Sequence, residues 1–160
     1  MPGTLTEIGV RDAVPSDLDF LRENLSTLND EMTTLIRSNG HYREGSSGLN
    51  IEACLQSEAF LIAAKGDERR GFLSIYHPGS TKGALLPLRQ QATIDTLFVL
   101  PQFRRKGLAS MLLEAAETKC RGWGAAGIGL SFLEGNHAAA AAYQKAGYMT
   151  IRHAMWRSLD

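Results

Sequence analysis

The chain has 160 residues, 44% of them hydrophobic and 21% charged, which is the balance of a soluble globular domain and fits one domain spanning 1–160. Seventeen basic and seventeen acidic residues give a formal net charge of zero, so no global field recruits nucleic acid or an anionic membrane, and functional charge must be local. Cys54 and Cys120 form no CxxC pair and are expected as reduced thiols in a cytoplasmic protein; residues 1–8 lack a signal-peptide pattern, and no apolar run reaches the roughly 20 residues that span a bilayer.

In chain order, Ile8 to Arg11 reads as a short strand, and Asp12 to Pro15 as a turn. Ser16 is a candidate N-cap, with Asp17 and Asp19 in a first turn that favours acids. Leu18, Leu21, Leu25, Leu28, Met32, Leu35 and Ile36 then recur at helical spacing, as one amphipathic helix or two in succession. Ser38 to Gly48 is a polar, glycine-containing loop, and Leu49 to Gln56 a second short helix. Phe60 to Ala64 and Gly71 to Tyr76, separated by a charged turn, predict a β-hairpin. Another loop covers His77 to Leu88, and Ala92 to Leu100 is the strongest strand, stopped by Pro101. Leu108, Met111, Leu112, Ala115 and Ala116 mark a helix from Lys106 or Gly107 to about Cys120. Ile128 to Leu133 is a strand, and Asn136 caps an alanine-rich helix over His137 to Lys145, with Gly147 at its C′ position. Tyr148 to Leu159 alternates as an extended segment. The order of elements predicts an α/β or α+β fold with a mixed sheet.

The segment Arg104-Arg105-Lys106-Gly107-Leu108-Ala109 lies between the strongest strand and a helix. A helix N-terminus offers free backbone N–H groups and the positive end of the dipole, which together bind phosphate. Gly107 allows close approach of an anion, and three cations before a helix N-terminus conflict with its dipole until a polyanion relieves them. The bland alternative is a solvated basic turn. The segment matches neither a Walker A sequence nor GxGxxG.

With Leu97-Phe98-Val99-Leu100-Pro101 before it, this segment resembles the first signature of the GCN5-related N-acetyltransferases, an Arg or Gln, two residues, Gly, one residue, then Gly or Ala. Asn136, Tyr143 and Gly147-Tyr148 resemble the second. The resemblance implies a splayed, mostly antiparallel sheet that holds acetyl-coenzyme A between the strand ending at Leu100 and the strand at 128–133. It implies that backbone groups of Leu97 and Val99 pair with the pantetheine arm, and that amides from Arg105 to Ala109, with Ser110, hold the pyrophosphate. Asn136 would contact the pantetheine, and the Tyr143 phenol would lie near the thioester sulfur.

The chemistry so implied is direct attack of an amine on the thioester in a ternary complex. Tyr143 is the expected general acid, since a phenol can protonate a leaving thiolate. Asp95 is the expected base, acting through water, with Glu134 as alternative. The amide of Leu97 or Phe98 is the expected oxyanion donor. His41, His77, His137 and His153 show no metal-ligand spacing, so no metal is expected. The acceptor is expected to be a small-molecule amine; a protein N-terminus or lysine, or a domain that binds acetyl-coenzyme A without turnover, stay open. Ile151, Met155, Trp156 and Leu159 are candidates for a homodimer interface or for core.

Overall fold

The computed structural model describes residues 7–38, 50–79, 90–157 and 159. The loops expected at 38–48 and 77–88 fall mostly outside these residues. Strand β1 (Gly9–Asp12) leads through a 3-10 turn at Pro15–Asp17 into helix α1 (Leu18–Ser38), followed by α2 (Ile51–Ser57), β2 (Ala59–Lys65), β3 (Glu68–Tyr76) and β4 (Gln91–Val99). A second 3-10 turn, Pro101–Phe103, precedes α3 (Leu108–Gly122), β5 (Gly127–Gly129) and α4 (His137–Lys145). The strands form one sheet in the order β1-β2-β3-β4-β5, antiparallel up to β4 and parallel between β4 and β5.

Both faces of the sheet are covered, which explains why β2 and β3 are almost continuously apolar. Alternation along β2 sends Leu61 and Ala63 to one face and Phe60, Ile62 and Ala64 to the other. The first face packs on Leu108, Leu112, Leu113, Ala116 and Cys120 of α3. The second packs on Leu21 and Leu25 of α1 and Cys54 of α2, with the Phe72 ring 5.6 Å from that of Phe98 and 6.1 Å from that of Phe60. The leucine stripe of 18–36 therefore belongs to one continuous helix. Helix α4 ends as expected: Gly147 has φ +88°, its N–H donates to the Gln144 carbonyl, and the Tyr148 N–H donates to that of Tyr143, the two bonds of a Schellman motif.

Three expectations need correction. Ser16 is not the cap of α1, and Asp17, in the turn that leads into the helix, is held by partners on β1 and β3. The Asp17 carboxylate is fully buried and takes four hydrogen bonds, from Arg11 Nη1 (2.7 Å) and Nη2 (3.0 Å), Arg69 Nε (2.5 Å) and the Val14 N–H (2.8 Å). These donors, led by Arg11, hold its pKa well below the usual carboxylate range. The strand expected at 128–133 is only three residues long, because only Gly127, Ile128 and Gly129 find partners on β4. The segment after Tyr148 adds no strand to the sheet, and Met149, Ile151, Met155, Trp156 and Leu159 are exposed.

Asp17 joins β1, the turn before α1, and β3 in one charge network. Removing one partner of a buried ion pair leaves the others uncompensated. Asp17→Ala should therefore lower the unfolding free energy by about 3 kcal/mol, read from urea denaturation. Because the folded pKa is depressed, this contribution is complete above the unfolded value near pH 4 and disappears as pH falls through the folded value.

Candidate functional site

The site is built where β4 leaves β5. The two strands pair only at Gln91–Gly127, Ala92–Ile128 and Thr93–Gly129, while β4 continues to Val99 against β3. The β3–β4 register slips between Ser74 and Ile75: Ser74 faces Thr96 and Ile75 faces Ile94, so Asp95 is the extra residue of a β-bulge. Thr96 is pinned there by a hydroxyl–hydroxyl bond to Ser74 (2.6 Å) and by its own N–H to the Ser74 hydroxyl (3.2 Å).

Beyond the bulge, the Leu100 N–H donates to the Arg70 carbonyl on β3. Antiparallel ladders alternate, so Phe98 also points its backbone groups at β3, while those of Leu97 and Val99 point into the gap beside β5. Of the two amides expected as oxyanion donor, that of Leu97 faces the gap.

The segment after β4 ends at an uncapped helix. Gly107 is the N-cap of α3 at φ +83°, in the left-handed region, and supplies no capping side chain. The first intrahelical bond is Met111 N–H to the Gly107 carbonyl. The amides of Leu108, Ala109 and Ser110 are thus left without intrahelical acceptors, which is the arrangement an anion requires. Arg105, at φ +61°, extends this turned backbone and is exposed.

Two basic side chains of the loop have partners within the protein. The Arg104 guanidinium points towards α1: it forks onto Glu31 (3.0 and 3.2 Å) and donates from Nε to the Val99 carbonyl (2.8 Å). Lys106 Nζ donates to the Gln102 carbonyl (3.1 Å) and lies 5.8 Å from the Phe103 ring centre. Two of the three cations are therefore engaged with the protein itself, and the free amides are the stronger feature of the loop.

On the far side of the gap, the Asn136 side chain accepts from the Ala139 N–H (3.2 Å), so its carboxamide oxygen caps α4. Tyr143 lies seven residues, about two turns, further along α4 and is 8% exposed, its ring 5.6 Å from Phe132 and 5.9 Å from Tyr148. Burial pushes its phenol up to about 12, so it is a firmly held proton donor.

Asp95 stands in a cluster that sequence reasoning missed. One carboxylate oxygen of Asp95, one of Glu58 and the Sγ of Cys54 lie within 4.8 Å of one another, the one such grouping of metal-capable donors among the described residues. Asp95 is open to water on its exposed side and hemmed in by protein on the others. Loss of solvation first, and then the adjacent Glu58, push its pKa up to about 7. Burial pushes the Cys54 thiol up to about 12, with Glu58 adding to it, so the thiol stays protonated at neutral pH. The Tyr76 phenol is shifted upward as well, by burial and then Glu58. No local motif announces Glu58, because it joins Asp95 only through the packing of α2 and β2 against the sheet. Glu134, the alternative base, is exposed in the turn before Asn136.

A family model described as the acetyltransferase (GNAT) family matches residues 24–148. No curated protein sequence matches. Among solved structures, aminoglycoside acetyltransferase AAC(6')-Iy in complex with a coenzyme A–acetylneamine bisubstrate analogue is 19% identical, covers 95% of this chain and 98% of its own, and superposes with a TM-score of 0.65. A tetramutant of the BH1408 protein from Bacillus halodurans is 19% identical over 94% of this chain and 99% of its own, TM-score 0.73. The putative acetyltransferase YycN from Bacillus subtilis is 16% identical over 96% and 99%, TM-score 0.72. At these identities the likeness is one of fold.

The backbone of the loop and its side chains make separable predictions for binding of coenzyme A. Gly107→Val forces a β-branched residue into the left-handed region and should raise the Kd, by calorimetry, roughly tenfold or more. Lys106→Ala removes an ammonium already occupied with Gln102 and should change it by less than about threefold. Equal losses in the two variants would remove the backbone cradle from the account.

Proposed function

The chain belongs to the acetyltransferase (GNAT) family and is thereby an acetyl-coenzyme A-dependent N-acetyltransferase, and from that premise we propose that it acetylates a primary amine of a small molecule by direct attack in a ternary complex. The observation that carries the reading is the row of unpaired amides at 108–110 opening onto the gap between β4 and β5. In this reading the chain acts as one domain in the cytoplasm. The free thiols Cys54 and Cys120 suit a reducing compartment, and no helix among the described residues is long and apolar enough to cross a membrane.

The amides of Leu108 to Ser110 hold the pyrophosphate, and Arg105 adds an exposed cation at the rim. Leu97 and Val99 present backbone groups to the pantetheine arm, although Arg104 shares the Val99 carbonyl. The carboxamide nitrogen of Asn136 remains for the pantetheine, since its oxygen serves as the helix cap. No metal enters the scheme.

Asp95, at the bulge, removes one proton from the acceptor ammonium, directly or through one water. The neutral nitrogen attacks the thioester carbon, a C–N bond forms, and the oxyanion is met by the Leu97 amide. The C–S bond then breaks and the sulfur takes the proton of the Tyr143 phenol. The second nitrogen proton, lost as the amide forms, restores that phenol.

The acceptor class finds support in chemistry: Asp95 and Glu58 place two acids beside the attack site, which suits a cationic amine. The AAC(6')-Iy complex, whose ligand carries an acetylneamine moiety, is a fold relative that fits the same class. A homodimer through Ile151, Met155, Trp156 and Leu159 belongs to this reading, because these exposed apolar side chains need a cover. Light scattering should then return twice the 17.5 kDa of one chain.

The decisive assay is release of free coenzyme A with polyamines, aminoglycosides, amino acids and short peptides as acceptors. Turnover with a small amine is expected; peptide-only turnover moves the assignment to a protein acceptor, and binding of acetyl-coenzyme A with no turnover makes the chain a sensor. Tyr143→Phe should lower kcat about a hundredfold with coenzyme A affinity retained. The base works ionised, so kcat/KM should climb as pH rises through about 7 and lose that limb in Asp95→Asn.

A further inference from the structure

We propose that Glu58 is the partner of Asp95 in catalysis: the two carboxylates act as one pair that takes the proton of the acceptor ammonium and holds it shared between them. This rests on the reading of Asp95 as the base.

The argument starts from hydrogen-bond inventory. Both carboxyl oxygens of Glu58 are buried without a well-formed hydrogen bond, and the groups beside them are the Cys54 thiol, the Tyr76 phenol and Asp95. Buried acceptors without donors are rare because they lose hydration and gain nothing in return. A Glu58 oxygen lies within 4.8 Å of Asp95 and of the Cys54 thiol. Ionised carboxylates are acceptors only, so neither acid can satisfy the other until one proton arrives. That proton turns one acid into a donor to the other, a bond between the two carboxyls that the neighbouring thiol and phenol cannot supply. It also removes the repulsion of two like charges in a poorly solvated place.

The groups facing the pair come from each element packed around it. Helix α2 contributes Cys54, β3 contributes Tyr76, and α1 contributes the apolar Leu21, Leu25 and Leu28 to the same face. The thiol and the phenol are both shifted upward and stay neutral near pH 7. The groups that act on Asp95 include no cation. Asp17 shows what cations do: there two arginines depress the carboxylate, whereas here their absence makes a base that titrates near neutrality. In the transfer, one N–H bond breaks, one O–H bond forms, and the electron pair stays on nitrogen. The proton passes to water after turnover.

The test uses the full chain labelled with 13C at the Asp and Glu carboxyl carbons. Resonances are assigned by their loss in Asp95→Asn and Glu58→Gln and followed from pH 3 to 9. In the wild-type chain both resonances should move in the same two steps, one of them near pH 7. In Glu58→Gln the Asp95 midpoint should drop by at least about one pH unit, and the acid limb of kcat/KM for the best amine of the panel should drop with it, while Glu58→Asp should restore both in part. Independent single-step titrations in the wild-type chain, a result that needs no variant to fold, overturn the pair and leave Asp95 as a lone base. Coupled titration together with an unchanged pH profile in Asp95→Asn overturns the base reading itself.

Discussion

Strand β4 is committed to β3 along its length and to β5 over three residues only. Every backbone N–H and C=O must find a partner or face water. The parting therefore creates a short row of groups, at Leu97 and Val99, that the sheet itself leaves unsatisfied. Helix α3 begins just beyond that row, with its own amides unpaired. The bulge at Asp95 turns a side chain towards the α1–α2 face of the same strand. The gap beside β5, the free amides at the start of α3 and the bulge at Asp95 thus all lie along the second half of β4 and the turn after it.

Two aspartates show how completely surroundings set the behaviour of one side chain. Asp17 is sealed from solvent but takes four hydrogen bonds, and its proton affinity falls. Asp95 touches water on one side only, loses solvation on the others and has an acid for a neighbour, and its proton affinity rises. The first serves the fold, and the second is poised for chemistry. Burial alone would have ranked them the other way round.

Much of the fold was legible because it depends on local signals. The hairpin of β2 and β3, the stop at Pro101, the start of α3 at Gly107 and the limits of α4 all follow from turn residues, caps and periodicity. The glycine turn and the free amides at the start of α3 were legible for the same reason. What escaped depends on partners distant in sequence. The apolar run 128–133 reads as a strand throughout, yet strand length is set by what lies alongside, and β4 has turned away after Thr93. Residues 148–159 alternate correctly but add no strand to the sheet. The Arg104–Glu31 pair joins residues 73 positions apart, which no local spacing encodes. Glu58 and Asp95 meet across α2, β2 and β4, which no spacing in the chain encodes.

The Arg104 fork has a meaning outside ligand binding. A strand with unsatisfied edge groups is a template on which any other extended chain can add itself, and proteins commonly guard such edges with charge. Arg104 lays a guanidinium over the Val99 carbonyl and is itself tethered to α1 through Glu31. The open edge of β4 is thereby guarded, at one end, against pairing with another extended chain.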